Sequence, residues 1–453
     1  MQLMLRRQFL SLALAPAAPA RPNIVFILVD DLRFDELGCT GHPFAQTPHA
    51  DRLAREGARF ENAFVATPLC SPSRATFLTG QYPFQHGITD NTDRSRHSHT
   101  LKTWPRLLHD NGYATAFLGK WHMGVDDSPR PGFDHWVSFP GQGESFDPPL
   151  NVNGKPIQTQ GYITDILTDH AVDFINQKRD KPFCLYLSHK AIHPNITQDA
   201  DGKVSRFEEA DDFKVAPRHR DLYAGRTPPR RGNYKVLPTD KPALLQNIEG
   251  VPPLSPHTAT DDVMILNRMR MTKAIDEGLG RLIDALERTG HLANTAIVFT
   301  SDHGYFYGEH CLSRERRLPY EEAIRIPLLV RYPRVYRPQT KVRAMTSSTD
   351  IFSMCLQWAG VPAPPIPKRD AVYIEYFSDT VFPRIRKMGY QAVRTERWKL
   401  IRYRDLPNAD ELYDLRTDPF ELRNRINDPT APKAKLESLL TTIPGPPQTP
   451  SPR

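Results

Sequence analysis

The stretch IVFILVDD, Ile24 to Asp31, decides the reading of the fold: a short apolar run closes on two carboxylates, Asp30 and Asp31. The same arrangement returns three times. Ala114 to Leu118 runs into Gly119, Lys120, Trp121 and His122; Phe183 to Leu187 runs into His189, Lys190 and His193; Ala296 to Thr300 runs into Asp302 and His303. Each apolar run predicts a strand. Ahead of the fourth, Ile275, Leu279, Leu282 and Leu286 stand at helical spacing and Gly290 closes the segment, a helix-then-strand unit. Repeated units of this kind predict an α/β chain whose mainly parallel sheet is sandwiched by helices. Ligands bind beyond the carboxyl ends of such strands, so four runs would deliver Asp, Lys and His to one edge and one site.

Between about residues 200 and 262 the periodicity fails, and charges, prolines and glycines dominate, as in RFEEADDFKVAPRHRDLYAGRTPPRRGNYKVLP. This predicts a long surface excursion, or equally a wall of a substrate cleft. After Gly360 the proline-rich link VPAPPIPK leads to AVYIEYF, YQAVRT, RWKLIRY and DELYDL, expected as antiparallel strands of a small subdomain over residues 361–430. Residues 431–453 are expected to finish as a helix and a disordered tail. At the other end, MQLMLRRQFLSLALAPAAPARPN sets Arg6 and Arg7 ahead of a short apolar stretch and an A-x-A pattern at Ala18 and Ala20. That is the order of a twin-arginine export signal over residues 1–20, cleaved near Ala20. Residues 21–360 then make the main domain, and the mature chain is expected in the periplasm or outside the cell.

The chain of 453 residues is long enough for one large domain and a smaller one. Its 43 prolines against 25 glycines suggest many fixed loop segments. A net charge of +7, spread along the chain, suits an anionic partner. Nucleic acid is not expected as that partner, because there is no zinc-finger spacing, basic heptad helix or aromatic stacking motif. No segment beyond the N-terminus approaches the roughly 18 uninterrupted apolar residues that a membrane helix needs, so no membrane span is expected. Cys39, Cys70, Cys184, Cys311 and Cys355 show no C-x-x-C spacing, which argues against a zinc site or a disulfide framework. Cys184 and Cys355 lie in apolar runs and read as core; whether Cys39 and Cys311 pair stays open.

Cys70 reads differently. The segment TPLCSPSRATFLTGQYP, Thr67 to Pro83, carries Cys70-Ser71-Pro72-Ser73-Arg74 and then Leu78-Thr79-Gly80. It resembles the signature of type I, formylglycine-dependent sulfatases of the alkaline phosphatase superfamily. The resemblance continues in family order through PNIVFILVDDLR with LGCTG, GYATAFLGKWHMG, YLSHKAIHP, FTSDHGYFYGEH with YEEAIRIPLLVRYP, and RTERWKLIRY with DELYDLRTDPFELRN, nearly the whole mature chain. It implies an alkaline-phosphatase-like α/β/α sandwich plus a C-terminal subdomain with a four-stranded antiparallel sheet. It also implies a maturation enzyme that oxidises Cys70 to formylglycine, and a sulfate ester as substrate. WVSFPGQGESFDPPLNVNG is loosely similar to N-acetylglucosamine-6-sulfatases, which points to a sulfated glycan.

The chemistry gives these residues a reason. A hydrated aldehyde offers two hydroxyls on one carbon, one to attack sulfur and expel the alcohol, the other to lose its proton so that sulfate is eliminated and the aldehyde returns. Unmodified cysteine lacks the second. Pro72 just inside a predicted helix start, with Ser71 before it, would leave backbone N–H groups facing the sulfate. Arg74, one turn along, would hold the formylglycine hydroxyl. Asp30, Asp31 and Asp302 are costly to gather without a cation. The resemblance makes them ligands of a divalent ion, with His303 and the modified Cys70 completing the shell. Oxygen ligands favour Ca²⁺, with Mg²⁺ the alternative; many relatives carry Asn where this chain has His303, and a nitrogen ligand weakens the exclusive case for calcium.

Lys120 and His122 lie two apart after a strand, so in extended geometry they would point to one side. The resemblance gives Lys120 a role in sulfate binding, His122 one in orienting and deprotonating the hydrate, and His193 the protonation of the leaving oxygen. Counting back from Tyr320, Arg316 falls where most relatives have a sulfate-binding lysine; whether Arg316 or Arg317 faces the site stays open. Cys311 stands where GEHG would put glycine, so a positive φ there would strain the loop. Two rival functions share these residues: a phosphodiester or phosphonate monoester hydrolase with the same nucleophile and metal, and a non-catalytic binder of sulfated glycans whose Cys70 is never oxidised.

Overall fold

Asn23–Val29 forms a strand in which every residue is buried. Its side chains alternate between two cores: Ile24, Phe26 and Leu28 enter one, and Val25, Ile27 and Val29 enter the other. A run with no polar alternation needs cover on both faces, and helices supply it. Cys70–Thr79, Trp104–Asp110 and Asp350–Trp358 pack on the first side, through Phe77, Trp104 and Met354 among others. Pro48–Glu56, Ile163–Asn176 and Asp262–Arg288 pack on the second, through Leu53, Leu167 and Ile275. In this computed structural model the described residues are 20–91, 96–124, 126–196, 208–378 and 382–442. The export pattern with Arg6 and Arg7, and the tail after Thr442, lie outside them.

The central sheet has ten strands. At its heart five run parallel, in the order Thr295–Ser301, Asn23–Val29, Phe183–Ser188, Ala114–Gly119, His135–Ser138. These include all four of the runs singled out above, so Asp30, Lys120, His189 and Asp302 emerge at one edge. Antiparallel pairings, through Leu328–Arg331 on one side and Pro149–Val152 on the other, extend the sheet outward. Among the described residues no helix is long and apolar enough to cross a membrane.

The four C-terminal runs form Ala371–Tyr376, Tyr390–Thr395, Trp398–Tyr403 and Glu411–Asp414, an antiparallel sheet in sequential order. The helix Lys433–Thr442 covers one face with Leu436 and Leu440. The other face, with Val372, Ile374, Ala392 and Ile401, joins the core of the large sheet. The long excursion is less superficial than expected. It has only short 3-10 turns among residues 208–261, yet Phe213, His219, Asn233, Lys241 and Leu244 are buried, and Tyr234 bridges to Glu309. Its polar groups can enter because they find partners there: Asn233 Nδ2 donates to Glu322 and Phe420, and Lys241 to Glu421.

Candidate active site

Beyond Val29 the chain turns sharply at Asp31, whose φ of +65° lies in the left-handed region. Asp302, beyond Ser301, is stitched to it: Asp302 N–H donates to Val29 O at 3.1 Å, and Asp31 N–H donates to Asp302 Oδ1 at 3.0 Å. On the neighbouring strand pair the turn falls on Gly119, at φ +110°. A Cβ there would meet Ser188 O at 1.9 Å, so glycine alone allows Lys120 N–H to reach that same carbonyl at 2.8 Å. Gly304 is bound as tightly, since a Cβ would stand 1.9 Å from Glu322 O, and this contact docks the segment after His303 against the 321–324 turn.

Cys70 opens the helix Cys70–Thr79, every residue of which is buried. The sequence places the helix start nearer Ser71 and Pro72, with open N–H groups beyond it, and the structure corrects this. Ser71 N–H is taken by Asn91 Oδ1 at 2.9 Å, Ser73 N–H by Leu69 O at 2.8 Å, and Pro72 has none to offer. Cys70 Sγ lies 3.8 Å from Asp30 Oδ1 and 3.3 Å from His303 Nε2.

Arg74, expected to hold the formylglycine hydroxyl, stands one turn after Cys70 on the same helix. It spans the carboxylates, with Nη2 3.2 Å from Asp30 Oδ2 and 2.8 Å from Asp302 Oδ2, while Nη1 donates to Lys120 O and Ser188 Oγ. Lys120 Nζ also pairs with Asp30. Burial alone would raise the Asp30 carboxyl, but Lys120 and Arg74 outweigh it and hold the group well below its usual range. Asp302 goes the other way, pushed up by burial and by the charge on Asp30. Two carboxylates thus compete for one guanidinium, a conflict that a cation relieves.

The donor set fits such an ion. One ligand atom from each of Asp30, Cys70, Asp302 and His303 lies within 4.8 Å of the others, all buried. Asp31 adjoins through His303, whose Nδ1 is 3.2 Å from Asp31 Oδ1, and neither Asp31 oxygen nor Asp302 Oδ2 accepts a well-aligned hydrogen bond. Burial opposes a charge on His303, but Asp302 and Cys70 raise the imidazole to about 9. Protonated, it would stand in for a cation; neutral, it is a nitrogen ligand.

Arg316, and not Arg317, faces this centre. Arg316 Nε is 3.0 Å from Asp31 Oδ1 and Nη2 is 2.9 Å from His193 Nε2. Arg317 turns away and lays its guanidinium 4.5 Å from the Phe382 ring centroid. His193 Nδ1 is 2.8 Å from Pro194 O, so Nδ1 donates to that carbonyl and Nε2 accepts from Arg316. Burial and the Lys120 charge hold His193 well below its usual range, which agrees with a neutral ring.

His122 lies beyond the strand end at φ +60°, so the extended-geometry argument that paired it with Lys120 does not hold. Its Nδ1 is 3.4 Å from Ser71 Oγ, beside Cys70. Three buried neighbours join the site, two of them, Glu208 and Arg268, without any signal in the sequence. Glu208, from the excursion, lies 3.6 Å from Arg316 Nη1 and accepts from Tyr305 OH; Arg268, from mid-helix, donates to the Asp31 carbonyl; Lys190 donates to the His193 and Pro194 carbonyls. Only the short run after Phe183 to Leu187 marked Lys190 at all. No disulfide links Cys39 to Cys311, since all five cysteines are free.

The chain is similar to known proteins. The sulfatase family model matches residues 22–361, and a second, for the C-terminal part of N-sulphoglucosamine sulphohydrolase, matches residues 308–442. An N-acetylglucosamine-6-O-sulfatase of Bacteroides thetaiotaomicron is 32% identical, over 89% of this chain and 82% of its own length. The human N-acetylglucosamine-6-sulfatase is 28% identical, over 76% and 62%. A solved structure of a protein in complex with its substrate, D-glucosamine-2-N,6-O-disulfate, superposes with a TM-score of 0.80 at 29% identity, over 93% of this chain and 97% of the other.

Proposed function

The chain belongs to the sulfatase family, with an alkaline-phosphatase-like fold, and on that premise we propose that it hydrolyses a sulfate ester of a glucosamine-containing glycan through a formylglycine made from Cys70. The observation that carries this reading is the place of Cys70 Sγ, inside the buried set formed by Asp30, Asp302 and His303. The substrate class is supported by the relatives that act on N-acetylglucosamine 6-sulfates and by the neighbour bound to a glucosamine disulfate.

A maturation enzyme converts the Cys70 side chain to the aldehyde, whose hydrate supplies the attacking hydroxyl and the second one that releases sulfate. Asp30, Asp31, Asp302 and His303, with the matured residue 70, would hold a divalent ion, which would supply Lewis-acid stabilisation of charge on the sulfate oxygens. Ca²⁺ or Mg²⁺ suits the oxygens, and His303 extends the choice to ions that accept nitrogen. Lys120 and Arg316 bind sulfate oxygens, and Arg74 keeps the carboxylates aligned. His193 Nε2 is the atom that carries a proton to the leaving oxygen once Arg316 turns to the sulfate, and the arriving anion favours that protonation. His122, against Ser71, orients the residue-70 hydrate. We place the enzyme outside the cytoplasm on the twin-arginine pattern at Arg6 and Arg7.

Peptide mass spectrometry across Cys70, with hydrazine capture of the aldehyde, tests the nucleophile. The matured enzyme is expected to release sulfate from 4-nitrophenyl sulfate and from glucosamine 6-sulfate, and Cys70→Ala to lose multiple turnover. A residue 70 found only as thiol in active enzyme, or a clear preference for the aryl phosphate, refutes the reading.

A further inference from the structure

Arg268 lies within the helix Asp262–Arg288, in the sequence NRMRMTK, and is wholly buried. A guanidinium taken out of water is costly unless its donors are used. Arg268 uses Nε and Nη2 at the site, while its Nη1 makes no hydrogen bond. Nη2 donates to the Asp31 carbonyl at 2.6 Å, Nε donates to Tyr307 OH at 2.9 Å, and the charge stands 4.2 Å from the Tyr305 ring centroid. Tyr307 OH in turn donates to Glu36, and Glu36 Oε2 accepts the N–H of Arg33 at 2.9 Å. Arg33 closes the ring on the 305–309 loop by pairing with Glu309 at 2.8 Å.

What this ring surrounds is a residue in an unfavourable conformation. Asp31, at φ +65°, is not glycine; aspartate enters the left-handed region more readily than most residues, but only where its surroundings hold it there. Both of its peptide groups are tied. The N–H is held by Asp302 and the carbonyl by Arg268, which fixes the direction in which the side chain leaves the backbone, and His303 Nδ1 and Arg316 Nε, 3.2 and 3.0 Å from Oδ1, meet the carboxylate itself. We propose, resting on the metal-binding reading above, that Arg268 is a positioning residue: it holds Asp31 in the turn that aims its carboxylate at the divalent ion. Lysine could keep the charge but not the fork that joins Asp31 to Tyr307.

The test is titration of Ca²⁺, Mg²⁺ and Mn²⁺ separately into the chelator-stripped full-length enzyme, followed by calorimetry. Removal of a group that orients a metal ligand weakens metal affinity by about 10–100-fold, and this is expected of Arg268→Met. Tyr307→Phe, which frees the fork but leaves the Asp31 contact, is expected to weaken it by about 3- to 10-fold. Arg268→Lys should fall between wild type and Arg268→Met. In each variant kcat should recover when the ion is raised in excess, with KM for 4-nitrophenyl sulfate within about 2-fold of wild type, since an orienting role is repaid by mass action. Unchanged ion affinity in every variant that folds, or lost kcat that excess ion does not restore, overturns the positioning role. A wild-type enzyme that takes up none of the three ions overturns the metal reading and this inference with it.

Discussion

Cys311 sits at φ +63°, behind His310 at +53°, in a position where the sequence led to an expectation of glycine. Its side chain is buried and its carbonyl accepts from Thr258 Oγ1 at 2.7 Å, so the loop is held in place against the strain. Ordinarily alanine is the more stable replacement because glycine frees the unfolded chain. Here the order should reverse: Cys311→Gly is expected to be about 1 kcal/mol more stable than Cys311→Ala in urea unfolding, and an Ala variant equal or better would show that the turn carries no strain. His303 bears on the choice of ion. Its Nε2 lies 3.3 Å from Cys70 Sγ, so His303→Asn would exchange a nitrogen donor for an oxygen. Competition calorimetry should then show Mn²⁺ losing at least about 10-fold against Ca²⁺, and an unaltered ratio would remove His303 from the shell. At this scale the chemistry-bearing types were legible, because they follow apolar runs at once. The choice between Arg316 and Arg317 was not, since neighbouring loop residues point apart and only their surroundings select one.

Between elements, the helix Pro48–Glu56 is capped by a residue of another helix. Thr47 makes no side-chain cap, and the N–H groups of His49 and Ala50 donate instead to Asp276 Oδ1, at 3.0 and 2.8 Å. The carboxylate sits within the helix Asp262–Arg288, and burial pushes it up from 3.8 to about 7. Because the folded state holds that proton more tightly than the unfolded one, the group's stabilisation is full below about pH 4 and lost as pH rises through about 7. Asp276→Asn keeps the acceptor and carries no charge. Its stability in urea should therefore fall less than that of the wild type between pH 4 and 7, the slopes differing by at most about 1.4 kcal/mol per pH unit. Parallel curves would place Asp276 in contact with water. The periodicity of Ile275, Leu279, Leu282 and Leu286 foretold this helix but not its length, for the structure extends it back to Asp262 through Met264, Ile265 and Met269. A buried face that also carries Arg268 and Asp276 breaks the apolar pattern from which such a helix is read.

Across the whole molecule the C-terminal sheet and the catalytic edge are joined by buried charge. Lys399, on the strand Trp398–Tyr403, pairs with Glu321 at 2.9 Å and Glu421 at 2.7 Å and donates to Pro319 O at 3.0 Å. Arg394 Nη2 meets the same Glu321 at 3.2 Å. Glu321 lies five residues after Arg316, so the small sheet braces the loop that presents Arg316 to the site. Lys399→Ala leaves Glu421 without its cation in the interior and Glu321 held by Arg394 alone, and is expected to cost about 3–5 kcal/mol in urea unfolding, with kcat falling as well. A loss below about 1 kcal/mol would mean that water reaches the pair. The amino-acid sequence by itself determined the strands, their carboxyl-edge residues, the four C-terminal strands and the family motif, because each is written in a run of neighbours only a few positions long. Tertiary structure decided what depends on distant partners: that Arg74 spans two carboxylates, that Glu208 and Arg268 reach the site, that Arg316 faces it, and that the small sheet shares the main core. Those outcomes turn on which buried charge meets which, and desolvation makes that meeting a property of the packed interior and not of any local pattern.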